Sequence, residues 1–271
     1  MDRDYAATYR HLYTHHWWWR ARERAILQTL RERLPAGRRA RILDIGCGDG
    51  LWFDKLAAFG DVEGVEVCGD LISRHNPWRS SIHVGPFDET FNPRGHFSLI
   101  LLLDVLEHLA DPCAALRHVS RLLTPDGLVI IHVPALESLW TTHDDLNHHY
   151  TRYSRRTLQD VLRAASLRAE SLRYMFSWTC PVKLAIRAKE GFLRSVPRPP
   201  AVPAAPVNAL CYGLCRVEQW LFAHRSPGFG ASLLAVARHG AQRLPIAPAG
   251  DGTAGDGAAV ADECLEDLLV G

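Results

Sequence analysis

The stretch Arg41–Leu51, RILDIGCGDGL, decides how the rest of this chain is read. Ile42-Leu43-Asp44-Ile45 is a short apolar strand, Gly46, Gly48 and Gly50 follow at alternate positions, and Leu51 to Phe59 has helical character. A strand, a glycine turn and a helix in that order make a nucleotide-binding corner. Glycine suits the turn because a ligand must come closer to the backbone than a Cβ allows. The first helical amides are then expected to face the ligand. Spacing narrows the choice of ligand. A dinucleotide fingerprint, G-x-G-x-x-G/A, needs a small third residue for close helix packing. Here that position is Leu51, and the glycines run G-x-G-x-G.

The segments downstream extend this corner into a sheet. Asp61 to Val67 reads as a second strand, and Glu66, 20 residues beyond Gly46, lies where a carboxylate can accept hydrogen bonds from two ribose hydroxyls. Ser81 to Gly85 is a third short strand. Phe97 to Leu103 is almost continuously apolar, as a central parallel strand buried on both faces must be. Asp111-Pro112 opens a helix through Leu123, with proline at an early helical position. Thr124-Pro125-Asp126-Gly127 is a turn, and Leu128 to Pro134 is the next buried strand. Strands alternating with helices over 41–134 predict an open parallel sheet with helices on both faces.

Several of these landmarks together resemble the class I S-adenosylmethionine (SAM) dependent methyltransferases, in the group of methyltransferase type 11, 12 and 23 domains. Asp44 to Gly50 resembles motif I, Asp104-Val105-Leu106-Glu107-His108 resembles the D/E-V-L-E-H segment of motif IV, and Leu123 to Gly127 resembles L-x-P-D-G. The loop 141–153 resembles a D-x-x-x-H-x-R-x-Y stretch of the family, with Asp145, His149 and Tyr153 in place and Arg152 one position beyond the pattern's arginine. The resemblance implies an α/β, Rossmann-like, seven-stranded, mostly parallel sheet with helices on both faces and an antiparallel last strand. It implies SAM as cofactor, held by Asp44, Gly46, Cys47, Gly48, Gly50 and Glu66, with Leu103 and Asp104 near the methionine part. The family's acidic residue for the adenine amino group is displaced here, because Pro86 and Phe87 precede Asp88; Phe87 against the ring and Asp88 as polar contact are the expected pair. His149 is the first candidate for a general base and His108 the second, with Glu107, Arg152 and Tyr153 orienting the acceptor. For Arg152 the alternative is a buried structural pair with Asp145.

Three histidines beside aspartates also raise the question of a metal. The loop holds adjacent His148 and His149 and no H-x-x-x-H pair, and the resemblance accounts for the cluster, so no metal is expected.

The flanks are read from pattern. Ile26, Leu27, Leu30 and Leu34 recur at helical spacing, so residues 1–40 form a helical cap ending before Pro35. Trp17, Trp18 and Trp19 cannot all face one side of that helix. At least one, with Trp18 the candidate, is expected at an acceptor site, as part of an aromatic lid or wall. Ser154 caps a helix through Ala165, and Leu167 to Phe176 is the sixth strand; the core is thus 41–177. Residues 178–230 are an insertion of two helices, Val182–Arg194 and Val207–His224, joined by a stiff proline-rich connector. The last strand falls within 231–240, and 241–271, rich in Ala, Gly, Pro and Asp, is expected to be disordered. The helix over 207–224 is strongly apolar and needs cover: its own core as a lid, a second subunit or a membrane surface.

Composition limits the partners. A net charge of +1 gives no support for a polyanion-binding surface, which argues against a nucleic-acid acceptor. Seven scattered cysteines form no C-x-x-C pair, and the absence of a signal peptide points to a reducing cytoplasm. No apolar run approaches the roughly 18 residues that cross a bilayer. The function expected is therefore transfer of the sulfonium methyl to a small-molecule, sugar or lipid-like acceptor by in-line displacement. A nicotinamide-dependent oxidoreductase is disfavoured by Leu51 and by the lack of a placed Tyr-x-x-x-Lys pair. A non-catalytic SAM-binding scaffold would keep the same Gly46, Gly48 and Glu66.

Overall fold

The computed structural model describes residues 10–34, 37–193, 200–223 and 225–240. The tail expected from 241 onward and the first part of the proline-rich connector lie outside these residues. In chain order the elements are α1 (Trp17–Arg33), β1 (Ala40–Ile45), α2 (Phe53–Leu56), β2 (Gly60–Glu66), β3 (Ile82–Val84), β4 (Phe97–Leu103) and α3 (Pro112–Leu122). Then follow β5 (Leu123–Pro134), α4 (Thr142–Leu146), α5 (Arg155–Ala164), β6 (Leu167–Met175), α6 (Cys180–Leu193), α7 (Ala205–Leu221) and β7 (Ser232–His239).

The unbroken apolar run of β4 has a direct structural cause. Leu99 and Leu101 pack in one core cluster with Ile26 and Leu30 of α1, while Ile100 and Leu102 pack in a second cluster with Leu116 of α3 and Leu158 of α5. Successive side chains on a strand point to opposite faces, so a strand covered on both sides is apolar on both; the one polar position, Ser98, accepts from the Arg41 amide at 3.0 Å. The seven strands run in the order β3-β2-β1-β4-β5-β7-β6. All pair in parallel except β7, which is antiparallel to both β5 and β6. Strand order reverses between β1 and β4, and the crevice at that switch point, above the strands' carboxyl ends, is where such sheets bind ligands.

Local signals place the helices. Asp111 accepts a hydrogen bond from the Ala114 amide with Pro112 in the first turn of α3, and Ser154 accepts from the Thr157 amide at the start of α5. Two expectations change. The helix expected over Leu51 to Phe59 shrinks to Phe53–Leu56, because 48–52 stays in turn conformation. The backbone facing the crevice is therefore the turn itself, and no long helix directs its N-terminus there. The TPDG turn is absorbed in β5: Phe97 pairs with Leu123 and Leu99 with Leu128, so 124–127 bulge out of register.

The insertion folds against α1. The Trp17 amide donates to Asn208 Oδ1 (2.8 Å), Gln219 Nε2 donates to the Ala21 carbonyl (2.8 Å), and Arg20 lies over the Tyr212 ring at 4.4 Å. Only one face of α7 is covered in this way. Val207, Leu210, Leu214, Val217 and Leu221, which recur at helical spacing, are all exposed on the other. Among the described residues no helix is long and apolar enough to cross a membrane.

Close approach between β2, the glycine turn and α2 rests on Gly64. A Cβ there would lie 2.5 Å from Cys47 Sγ and 2.6 Å from Phe53 Cζ. Gly64→Ala is expected to destabilise the fold by about 1–3 kcal/mol through overpacking, seen as a Tm lower by about 3–10 °C in thermal unfolding.

Candidate active site

A cavity of about 1750 Å³ opens at the carboxyl ends of the strands. The glycine turn forms its floor. Gly46 has φ 69°, and a Cβ on it would sit 2.8 Å from Val105 Cγ2, so only glycine lets the turn pass the segment after β4. Glu66, at the end of β2 and 7% exposed, ties the turn down: Oε2 accepts from the Gly48 amide and Oε1 from the Cys68 amide, both at 2.9 Å. A carboxylate has about four lone-pair sites, so Glu66 keeps capacity for further donors. Asp44 is buried beside it. Burial raises the Asp44 carboxyl to about 7, opposed by Arg22 and reinforced by Glu66.

At the end of β4 the backbone is strained: Asp104 has φ 60°, a conformation costly for a residue with a Cβ. Its carboxylate holds two buried partners from different elements. Arg22 Nη2 of α1 lies 2.7 Å from Oδ2, and His132 Nδ1 of β5 lies 2.6 Å from Oδ1. Burial opposes this charge, but Arg22 and His132 outweigh it and hold the Asp104 pKa at about 2. Burial in turn lowers the His132 pKa. Trp18 rests edge-on against His132 at 5.8 Å, and Trp17 meets Trp178 of the insertion at 5.4 Å.

The opposite wall is built from the loop 141–153. Asp144 is fully buried and accepts from Arg152 Nη1 (2.7 Å), from the Thr141 amide (2.9 Å) and from His149 Nδ1 (2.9 Å). Burial works against its charge, but the His149 bond and Arg152 prevail and keep the Asp144 pKa well below the ordinary carboxylate range. A carboxylate in that state only accepts, so His149 donates from Nδ1 and its Nε2 stays outside this bond. Arg152 also donates to the Ala135 and Ala231 carbonyls, each at 3.0 Å, pinning the loop to the ends of β5 and β7. Two further bonds bring the loop to the DVLEH segment: the Tyr150 amide to the Glu107 carbonyl (2.7 Å) and Tyr153 Oη to the Leu106 carbonyl (3.2 Å). His149 therefore meets His108 edge to face, ring centres 4.8 Å apart. Glu107 is 1% exposed beside them, and burial, with Asp104 nearby, raises its carboxyl pKa well above the ordinary value. Lys183 of α6 also borders the cavity; burial, then Arg152, lowers its ammonium to about 8.

The expected residues separate cleanly against this geometry. Asp44, Gly46, Cys47, Gly48, Glu66, Leu103 and Asp104 border the cavity at the turn, and Trp18, Glu107, His108, His149 and Arg152 border it beyond. Four do not. Phe87 packs on His118 (4.9 Å) and Phe91 (5.9 Å) against α3, and exposed Asp88 is engaged by Thr90. Tyr153 is buried with its hydroxyl on backbone, and Gly50 sits behind the turn against Phe53. The partner of Arg152 is Asp144 rather than Asp145, which instead accepts from Trp140 Nε1 at 2.8 Å. Arg22, His132 and Asp144 were not anticipated. Arg22 reads as one charge among several on a polar helix, and the D-x-x-x-H spacing selects Asp145 rather than its neighbour Asp144.

A family model described as a methyltransferase domain matches residues 18–172, more than half of the chain, and the protein belongs to that family of SAM-dependent methyltransferases. Membership sets aside the nicotinamide-dependent and scaffold alternatives. Among curated relatives, the ubiquinone biosynthesis O-methyltransferase of Xanthomonas oryzae pv. oryzae is 27% identical over 183 residues, covering 59% of this chain and 77% of its own. The fold is also that of the methyltransferase from the Haloferax volcanii complex with the Trm112 activator (TM-score 0.56, 19% identity, 88% and 95% of the two chains). A SAM-dependent methyltransferase from Clostridium acetobutylicum aligns at TM-score 0.51 and 14% identity, over 79% of this chain and 89% of its own.

Removing Arg22, itself buried, leaves Asp104 at the cavity edge without its cation. Arg22→Ala is expected to cost about 3–5 kcal/mol in chemical denaturation. Adding Asp104→Asn to it is expected to recover part of that loss, a positive coupling that a double-mutant cycle reads directly.

Proposed function

We propose that the protein transfers the SAM methyl to a hydroxyl oxygen of an apolar small-molecule acceptor. The observation that carries this reading is the Asp144–His149 pair, whose free Nε2 faces the same cavity as the glycine turn. An oxygen nucleophile needs its proton removed as it attacks, and an imidazole oriented by a carboxylate performs that task near neutral pH. The O-methyltransferase relatives at 27% identity support the same choice of atom. Trp17, Trp18, Trp178, Val182 and Ile186 line the acceptor side, favouring an acceptor with an apolar or aromatic body.

SAM carries an ammonium and a sulfonium charge, and the turn end offers Asp44 and Glu66. In this reading Glu66 accepts from the ribose hydroxyls with the lone pairs its backbone donors leave free. Gly46 and Gly48 let the cofactor approach the chain, and the end of β4, at Leu103 and Asp104, faces its methionine part. The acceptor hydroxyl then lies in line with the methyl: a C–O bond forms, the C–S bond breaks, sulfur keeps the electron pair, and the proton passes to His149. The chain's contribution is alignment and exclusion of water by the aromatic wall.

Glu66→Ala is expected to weaken SAM binding by about 10- to 100-fold, since hydrogen bonds to a charged group are worth about 1.5–3 kcal/mol. His149→Ala is expected to leave SAM affinity unchanged and lower kcat by about 10²- to 10⁴-fold. Calorimetry with SAM and turnover with a phenolic acceptor panel check both, and unchanged rates in the second variant would remove His149 from the mechanism.

Asp44 also makes SAM binding depend on pH. Its folded value, about 7, lies above the ordinary aspartate value of 3.8, so its contribution to stability is full below about 4 and is lost as pH rises through 7. A cationic ligand favours the ionised carboxylate. SAM affinity is therefore expected to tighten with pH up to about 7 and then level off, by at most about tenfold per pH unit. The charged and titratable groups around Asp44 are Arg22, Glu66, Cys47 and Tyr13. Asp44→Asn is expected to flatten this profile, measured by calorimetry between pH 5 and 8.

A further inference from the structure

The geometry points to a divalent transition-metal site of the zinc type, formed by Glu107, His108 and His149 on the acceptor side of the cavity. The ligand atoms these three residues offer all lie within 4.8 Å of one another. Tetrahedral Zn²⁺ with bonds of about 2.1 Å holds its ligands about 3.4 Å apart, so side-chain torsions need to close the widest pair by about 1.4 Å at most.

Three observations support a cation there. Glu107 is 1% exposed, and its Oε2 has no hydrogen-bond partner. A buried carboxylate oxygen without a donor is expensive, and a metal ion supplies the missing charge. His149 has the outer-shell arrangement of a metal-ligating histidine: Nδ1 donates to buried Asp144 at 2.9 Å, which leaves Nε2 to ligate. Asp144 is itself fixed by Arg152 and the Thr141 amide, so the imidazole is oriented before any ion arrives. Finally, the segments are held together through backbone, by the bond from the Tyr150 amide to the Glu107 carbonyl (2.7 Å).

The donor set selects the ion. Two imidazoles and one carboxylate suit zinc and its neighbours, whereas Mg²⁺ and Ca²⁺ prefer all-oxygen shells. Three protein ligands leave a coordination position open towards the cavity, as in catalytic zinc sites. The inference rests on the proposed O-methyl transfer and reassigns one role within it. An acceptor hydroxyl in the open position would be acidified by the cation and release its proton to solvent before attacking the SAM methyl. His149 would then serve as ligand rather than base.

Untagged protein stripped with a chelator, titrated with ZnCl₂ and with CoCl₂ in the absence of SAM, tests this. One equivalent is expected to bind, with visible d–d bands for Co²⁺ in a low-symmetry nitrogen and oxygen site. Glu107→Gln and His108→Ala are each expected to weaken binding by more than the roughly 10- to 100-fold that an outer-shell change such as Asp144→Asn costs. His75→Ala, at an exposed histidine far along the chain, is expected to change nothing. SAM affinity, measured on the same variants, reports that they remain folded. Failure to take up one equivalent, or uptake indifferent to Glu107→Gln and His108→Ala, overturns the site. Full turnover in chelator together with loss of turnover in His149→Ala also overturns it, and leaves His149 as the base of the proposed reaction.

Discussion

The buried ion pair between Arg22 and Asp104 joins the N-terminal helix to the point where the sheet meets its ligand cavity. Two charges out of water are costly unless each is fully engaged, and here the network is closed by His132 on the next strand. The engagement also offsets a second cost. Asp104 sits at φ 60° at the end of β4, and such a conformation survives only where its surroundings overdetermine it. The pair therefore serves position as much as stability: it sets where β4 turns out of the sheet, and with it the path of Val105 to His108.

From that turn the cavity divides into two ends of different character. The end at the glycine turn is local in sequence. It consists of one strand, one turn and the carboxylate of the next strand, tied by hydrogen bonds between Glu66 and backbone amides on either side. The opposite end is assembled from distant segments: α1, the DVLEH segment, the 141–153 loop and the insertion. Its rigidity comes from a second buried arginine, Arg152, which links the loop to backbone carbonyls of two other segments and to Asp144. Buried polar networks of this kind specify one arrangement because a partly satisfied alternative costs several kcal/mol.

The insertion shows how apolar sequence and burial part company. Its helix α7 turns Cys215 inward and uses Asn208, Tyr212 and Gln219 to grip α1. Much of its apolar surface, including Trp220, remains on the outside. A composition that reads as core in the sequence is thus divided by the tertiary fold between one covered and one uncovered face.

How much of this was legible follows from the range of the forces concerned. Strand order, the parallel sheet, the glycine turn and Glu66 depend on patterns within a few dozen residues, and the sequence of 41–134 carries them. The short α2, the bulge in β5 and the withdrawal of Phe87, Asp88 and Tyr153 from the cavity depend on what packs against them. Most of all, the histidine end of the cavity depends on meetings that no spacing records. Arg22 reaches Asp104 across 82 residues, and His149 reaches His108 across 41. The 141–153 loop by itself offers no set of metal ligands, whereas the fold brings one of its histidines to a glutamate and a histidine from another strand end. The sequence by itself determined the family, the glycine turn and the residue types available for chemistry, because these rest on local backbone geometry and period. Only the tertiary structure decided which of those residues face one another, because buried charges choose their partners in three dimensions.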